Sequence, residues 1–291
     1  MEISGVWLPI VTPFYGQSVD YDSYRNLIDY YISKKVAGII PLGTTGEVST
    51  IEDTEYEEII ALTTEYVNHR APILIGCGGN CTSKVVKQIR IVDKYDVQGI
   101  LSVSPYYNRP DQNGIFQHFL RLSESTDLGI VLYNIPYRTG RNIENETIYK
   151  LAELKNIIGI KDSCGDGKQS MDLLLNKPKD FSVLTGEDIF FYANLTLGGD
   201  GGILAASHYR PENYLDIYYK MLANDHQGAL AVWKNLATII PVLFEEPNPA
   251  PIKHLLFLNG LLRSNETRLP IVAASNRLQD KIGRILSQNL L

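Results

Sequence analysis

Short apolar runs recur along the chain and alternate with longer stretches in which apolar residues return every three or four positions. Eight runs stand out: GVWLPIVT (5–12), AGIIPLG (37–43), APILIGC (71–77), VQGILSV (97–103), LGIVLYN (128–134), NIIGIK (156–161), FSVLTG (181–186) and GGILAAS (201–207). Their hydrophobic residues fall on consecutive positions, as in a strand covered on both faces, and this favours a parallel sheet over an antiparallel one. The intervening stretches, such as YDSYRNLIDYYISKK (21–35), EYEEIIALTTEYVNHR (55–70) and SKVVKQIRIVDKY (83–95), read as amphipathic helices with one face against a sheet. Eight strands alternating with eight helices predict an α/β fold, a (β/α)8 TIM barrel. Strand signals stop after about residue 224, and the segments 226–246, 250–263 and 272–288 are helical only. The predicted organisation is therefore a barrel catalytic domain over 1–224 and a C-terminal helical extension of three helices over 225–291. No Gly/Ser-rich or Pro-rich linker separates them.

In such barrels the chemistry is built at the C-terminal ends of the strands and on the loops that follow. Lys161 ends the sixth run, Gly43, Thr44 and Thr45 follow the second, Tyr106 and Tyr107 follow the fourth, and Tyr133 ends the fifth with Arg138 just beyond. All are expected at one face. Composition narrows the ligand. The 291 residues are 44% hydrophobic, enough for a substantial core, while a net charge of −6 without any basic block gives nucleic acid no footprint. Small molecules or further copies of the chain are the expected partners. The N-terminal MEISGVWLPIVTPF lacks a basic, cleavable leader and no window is apolar enough to span a bilayer, so a cytoplasmic location with no membrane contact is expected. Cys77, Cys81 and Cys164 show no CxxC spacing and read as reduced thiols, and the five histidines show no metal-ligand spacing. No metal or organic cofactor is expected.

A lysine amine of pKa ~10.4 is protonated at neutral pH, but an apolar surround lowers that value and frees the lone pair that attacks a carbonyl. Lys161 is accordingly a Schiff-base nucleophile candidate, although position alone points rather to a lysine that snorkels to water or pairs with Asp162. LGTTGEVS (42–49) brings bare backbone and two hydroxyls to the barrel mouth, either as a carboxylate cradle or as a simple glycine turn. It lacks the lysine of a P-loop. The tyrosines of SPYYNRP (104–110) and LYNIPYRTG (132–140), linked through a threonine hydroxyl, would relay protons, and Arg138 would clamp a second carboxylate. Taken singly each has a structural alternative. Nucleophile, cradle, relay and guanidinium converging on one rim favour an aldolase-type lyase.

The sequence resembles the dihydrodipicolinate synthase and N-acetylneuraminate lyase superfamily, class I aldolases that bind pyruvate as a Schiff base. The resemblance runs from TPF (12–14) through GTTGE (43–47), SPYYNRP, YNIPYRTG, GIKDSCGD (159–166) and TGED (185–188) to EPNPAP (246–251). It implies that Lys161 forms the imine with pyruvate, that Tyr133 moves protons, and that Thr44 joins Tyr133 to a Tyr107 contributed across a tight dimer interface. Thr45 would bind the pyruvate carboxylate, with Gly186 and Ile203 lining the pocket. Arg138 resembles the arginine with which the synthase branch holds the carboxylate of aspartate semialdehyde. The implied reaction is condensation of pyruvate with that aldehyde to 4-hydroxy-tetrahydrodipicolinate in lysine biosynthesis, by a homotetramer built from tight dimers.

Two departures from the family pattern bear on specificity and regulation. Tyr137 precedes Arg138 where the family usually has a small residue, which keeps open a retro-aldolase for a 2-keto-3-deoxy sugar acid or sialic acid. A non-catalytic keto-acid binder is the reading from another class, against which the intact Lys161, Tyr133 and Thr44 argue. In lysine-inhibited members, a pocket at the dimer interface has histidine and glutamate where this chain has Asp53, Tyr56 and Lys84; Asn80 and Tyr106 are retained. A cationic Lys84 would repel the ammonium of a bound lysine, so weak or absent feedback inhibition is expected.

Overall fold

The computed structural model describes residues 3–287. All eight apolar runs contain parallel strands: β1 (Gly5–Leu8), β2 (Gly38–Ile39), β3 (Leu74–Gly76), β4 (Gly99–Val103), β5 (Gly129–Asn134), β6 (Ile157–Asp162), β7 (Ser182–Thr185) and β8 (Gly201–Ile203). They pair in the order 2-1-8-7-6-5-4-3. The Ile39 N–H donates to the Pro72 carbonyl at 3.0 Å and the Gly76 N–H to the Pro41 carbonyl at 2.9 Å, and these bonds close β2 onto β3. The strands are shorter than the runs, because proline interrupts the first two: Pro9 follows β1 and Pro41 lies just past β2.

Among the described residues the barrel helices are α1 (Tyr21–Ser33), α2 (Asp53–Val67), α3 (Thr82–Val92), α4 (Gln112–Ser123), α5 (Asn145–Ala152), α6 (Gly167–Leu175), α7 (Phe191–Thr196) and α8 (Pro211–Leu222). Asp20 and Asp111 cap α1 and α4 by accepting from the Ser23 and Gly114 amides. Three further helices, α9 (His226–Leu243), α10 (Ala250–Leu258) and α11 (Asn276–Ser287), make up the tail. The sequence reading had no counterpart for an antiparallel hairpin of Phe14–Tyr15 with Ser18–Val19, a short helix at Pro136–Thr139, or the 3-10 turns at Val48–Thr50, Asp188–Phe190 and Ala205–His208. No helix among the described residues is long and apolar enough to cross a membrane.

The core has two layers. Val6, Leu8, Ile100, Ile130, Leu132, Ile160 and Val183 face the helices, whereas Trp7, Leu74, Leu101, Val131, Ile158, Leu184 and Ile203 fill the barrel interior. Strand alternation sorts them, with one interruption that matters for the site. Along β5 and β6, Ile130 pairs with Ile157 but Val131 pairs with Gly159, so Ile158 is an extra residue in a β-bulge. Both Ile158 and the partner of Val131 then belong to the inner side, Ile160 turns outward beside Leu132, and Lys161 turns inward beside Tyr133. Uninterrupted alternation from Ile158 would have faced Lys161 toward the helices. Gly159 fits there because a Cβ would come within 2.5 Å of the Ser182 carbonyl oxygen on β7.

Candidate active site

At the C-terminal mouth of the barrel lies a cavity of about 440 Å³ whose wall includes Thr44, Thr45, Tyr133, Arg138, Lys161 and Gly186. Lys161 is only 6% exposed. Its Nζ stands 4.4 Å from the centroid of the Tyr133 ring, its register neighbour on β5. Burial pulls the Lys161 ammonium down to about 8, opposed by the negative charge of Asp188 and Glu187 and aided by Arg138. Asp162 is not its partner. That carboxylate accepts the Cys164 amide at 3.1 Å and the Ser170 hydroxyl at 2.5 Å. Lys161 is thus a buried amine rather than a snorkelling one.

Tyr133 is 7% exposed. Burial raises its phenol well above the ordinary value, and the Arg138 charge and the Ser163 and Thr44 hydroxyls oppose that rise. Asp188, from the loop after β7, is pushed up to about 7 by burial, and its Oδ1 accepts the Ala206 amide at 2.6 Å. Glu187 beside it is also raised, again by burial first. Two carboxyl groups that hold protons more tightly than usual therefore flank an amine that holds its proton less tightly.

Gly186 is required by the lysine stem. A Cβ there would lie 2.4 Å from Lys161 Cε and 2.3 Å from Ser163 Oγ. Gly186→Ala is expected to displace the amine and cut turnover by about 10²-fold, a typical cost of misplacing a reacting group by roughly 1 Å. Steady-state kinetics on the folded variant check this; unchanged turnover would show that the stem has room to spare.

Thr45 is buried, and its Oγ1 accepts the Asn248 side-chain amide at 2.9 Å. The threonine proton is then left to donate elsewhere. Arg138 lies on the short helix after β5, in a loop whose base is tied by Asn134, which donates to Asn142 Oδ1 at 2.8 Å and accepts the Ile143 amide at 3.0 Å. The Arg138 guanidinium stacks 4.8 Å from the Tyr137 ring centroid, so the bulky neighbour braces the guanidinium at the cavity wall rather than filling the cavity.

Other sequence candidates fall elsewhere. Ile203 is fully buried in the barrel interior, in register with Trp7, and is not part of the cavity wall, to which Ala205 belongs. Tyr107 is 89% exposed with φ of 73° and lies outside this cavity, and Tyr106 is exposed as well. Asn80 and Lys84 are exposed, with the Asn80 carbonyl accepting from Asn108 at 2.9 Å. Tyr56 is buried, its hydroxyl committed to the Gly76 carbonyl at 3.0 Å. Cys164 sits outside the barrel near Asp162 and Ser170, where burial pushes its thiol up to about 11. The sequence reading missed Glu187, Asp188, Ser163, Asn248 and the tail residues Ile240, Pro241 and Phe244, all of which are part of or adjoin the cavity. TGED, GIKDSCGD and EPNPAP contain Glu187, Asp188, Ser163 and Asn248, but none of the four had been given a role, and Ile240, Pro241 and Phe244 lay in a stretch read only as helical.

Fold and cavity together define a (β/α)8 barrel with a buried lysine amine at the C-terminal end of β6. The chain belongs to the dihydrodipicolinate synthetase family, whose family model matches residues 2–289. It is 55% identical to 4-hydroxy-tetrahydrodipicolinate synthase 2 of Clostridium acetobutylicum over 286 residues, covering 98% of this chain and 100% of that one. Identity to the 4-hydroxy-tetrahydrodipicolinate synthase of Porphyromonas gingivalis is 40%, over 99% of this chain and 97% of that protein. The crystal structure of dihydrodipicolinate synthase from Thermotoga maritima superposes with a TM-score of 0.96 at 37% identity, with all of both chains covered.

Proposed function

We propose that this protein condenses pyruvate with L-aspartate 4-semialdehyde to give 4-hydroxy-tetrahydrodipicolinate. The observation that carries the proposal is the buried Lys161 amine against Tyr133 in a cavity with a hydroxyl cradle on one side and Arg138 on the other. The names of the relatives support the same reaction. Lys161 Nζ attacks the keto carbon of pyruvate, water leaves, and an imine forms. Thr45 donates to the pyruvate carboxylate. As Tyr133 passes its phenolic proton to the Thr44 hydroxyl it takes a methyl proton in exchange, giving the enamine; the enamine carbon adds to the aldehyde, and the new alkoxide takes the Tyr133 proton, which Thr44 replaces. Arg138 holds the second carboxylate. The substrate amine then attacks the imine carbon, closing the ring and releasing Lys161.

Tyr107, exposed on the loop after β4, is assigned to the cavity of a second copy, where its hydroxyl would extend the Thr44 relay; a tetramer of such dimers fits this arrangement. The aldehyde is tested by condensation assays with pyruvate as common partner. Turnover is expected with aspartate semialdehyde, and turnover with sugar-derived aldehydes alone would overturn the assignment.

Attack needs the neutral amine, so kcat/KM for pyruvate should rise as pH climbs toward about 8 and level off above it. Below that pH the loss should not exceed about tenfold per unit, and protonation of Asp188 near 7 makes the limb shallower by removing a charge that favours the ammonium. A profile flat from acid to alkaline pH would contradict a titrating nucleophile.

A further inference from the structure

The loop that carries Thr44 and Thr45 is held from behind by a buried ion pair that the reaction scheme leaves unused. The Glu47 and Lys253 side chains are both at 0% exposure and pair through Glu47 Oε1 and Lys253 Nζ. Lys253 also donates to the Glu266 carbonyl at 2.8 Å and lies 4.0 Å from the Phe14 ring centroid. The other Glu47 oxygen accepts the Arg268 amide at 3.0 Å. Glu47 itself has left-handed backbone, with φ of 54°. Its N–H donates to the Thr44 carbonyl at 3.1 Å, and its carbonyl accepts the Thr50 amide at 2.9 Å.

That conformation, which L-residues adopt only at a cost, is held by bonds within the turn and by the buried partners of the Glu47 side chain. Two buried charges are also an expensive way to fill space, since an apolar pair of like volume often serves stability as well. Both oxygens of Glu47 are nevertheless engaged by the C-terminal segment, and the same segment supplies Asn248, which grips Thr45 Oγ1. The two attachments flank the turn on which the cradle is built.

We propose that Glu47 and Lys253 are positioning residues for the cradle, holding the turn so that Thr45 meets the carboxylate of the keto acid. Neither touches the substrate. The inference rests on the Schiff-base reading of the cavity, and it makes the C-terminal helices part of pyruvate recognition.

The test uses the full-length protein with Glu47→Gln, which keeps the shape and removes the charge, and the apolar double variant Glu47→Leu/Lys253→Met. Pyruvate half-saturation is read from borohydride trapping by intact mass, and KM for each substrate, kcat and melting temperature are measured alongside. Both variants are expected to need about tenfold more pyruvate, with the aldehyde KM little changed. The double variant should melt near the wild-type temperature, which separates positioning from stability. Wild-type pyruvate half-saturation in either folded variant, or equal losses for both substrates, would overturn the proposal. Trapping of the wild-type protein reads the underlying lysine assignment independently: absence of that adduct defeats the Schiff-base reading itself.

Discussion

Lys161→Ala is expected to lose about four orders of magnitude in turnover while remaining folded. Among the described residues, Lys161 supplies the amine of the cavity wall and no second lysine lines it. The fold should tolerate its loss. A buried amine whose proton affinity is lowered by desolvation is a cost to the native state, and its removal offsets part of the packing lost with the stem. Turnover within about a hundredfold of wild type, on protein free of wild-type contamination, would mean that the chemistry runs without a covalent intermediate.

Tyr133→Phe should lower kcat by roughly 10²–10⁴-fold, the usual range for removing a positioned acid–base group. The phenyl ring keeps the face on which Lys161 Nζ rests, so the amine should stay in place and pyruvate should still add. Only the proton transfers after addition lose their carrier. The informative result is a split: adduct formation near wild type with turnover strongly reduced. A variant with normal kcat would remove Tyr133 from the relay, and one that no longer takes up pyruvate would recast it as a lysine-positioning residue.

Much of this was legible in the sequence because parallel barrels write themselves in apolar runs. The runs ending at Asn134 and Lys161 gave β5 and β6 almost to the residue, and adjacent strands of a barrel bring their ends together. What could not be read was the direction in which a strand residue faces once alternation breaks. The bulge at Ile158 depends on how β5 and β6 pair, a non-local fact, yet it is what turns Lys161 inward. Asp188 and Asn248 escaped for a related reason: each is an ordinary polar residue until a fold brings it from far along the chain to Ala206 or Thr45. The C-terminal helices read as an appendage because their sequence shows only amphipathic period. Their part in the cavity, through Ile240, Pro241 and Phe244, comes from packing across the barrel mouth. Tyr107 is exposed and lies outside this cavity.

The central claim is that Lys161 forms an imine with pyruvate, and borohydride reduction followed by intact-mass and peptide analysis tests it most directly. The wild-type protein incubated with pyruvate should gain one reduced adduct, located on the peptide containing Lys161, and Lys161→Ala should gain none. A wild-type protein that stays at its original mass, or a Lys161→Ala protein that still takes up the label, would contradict the account.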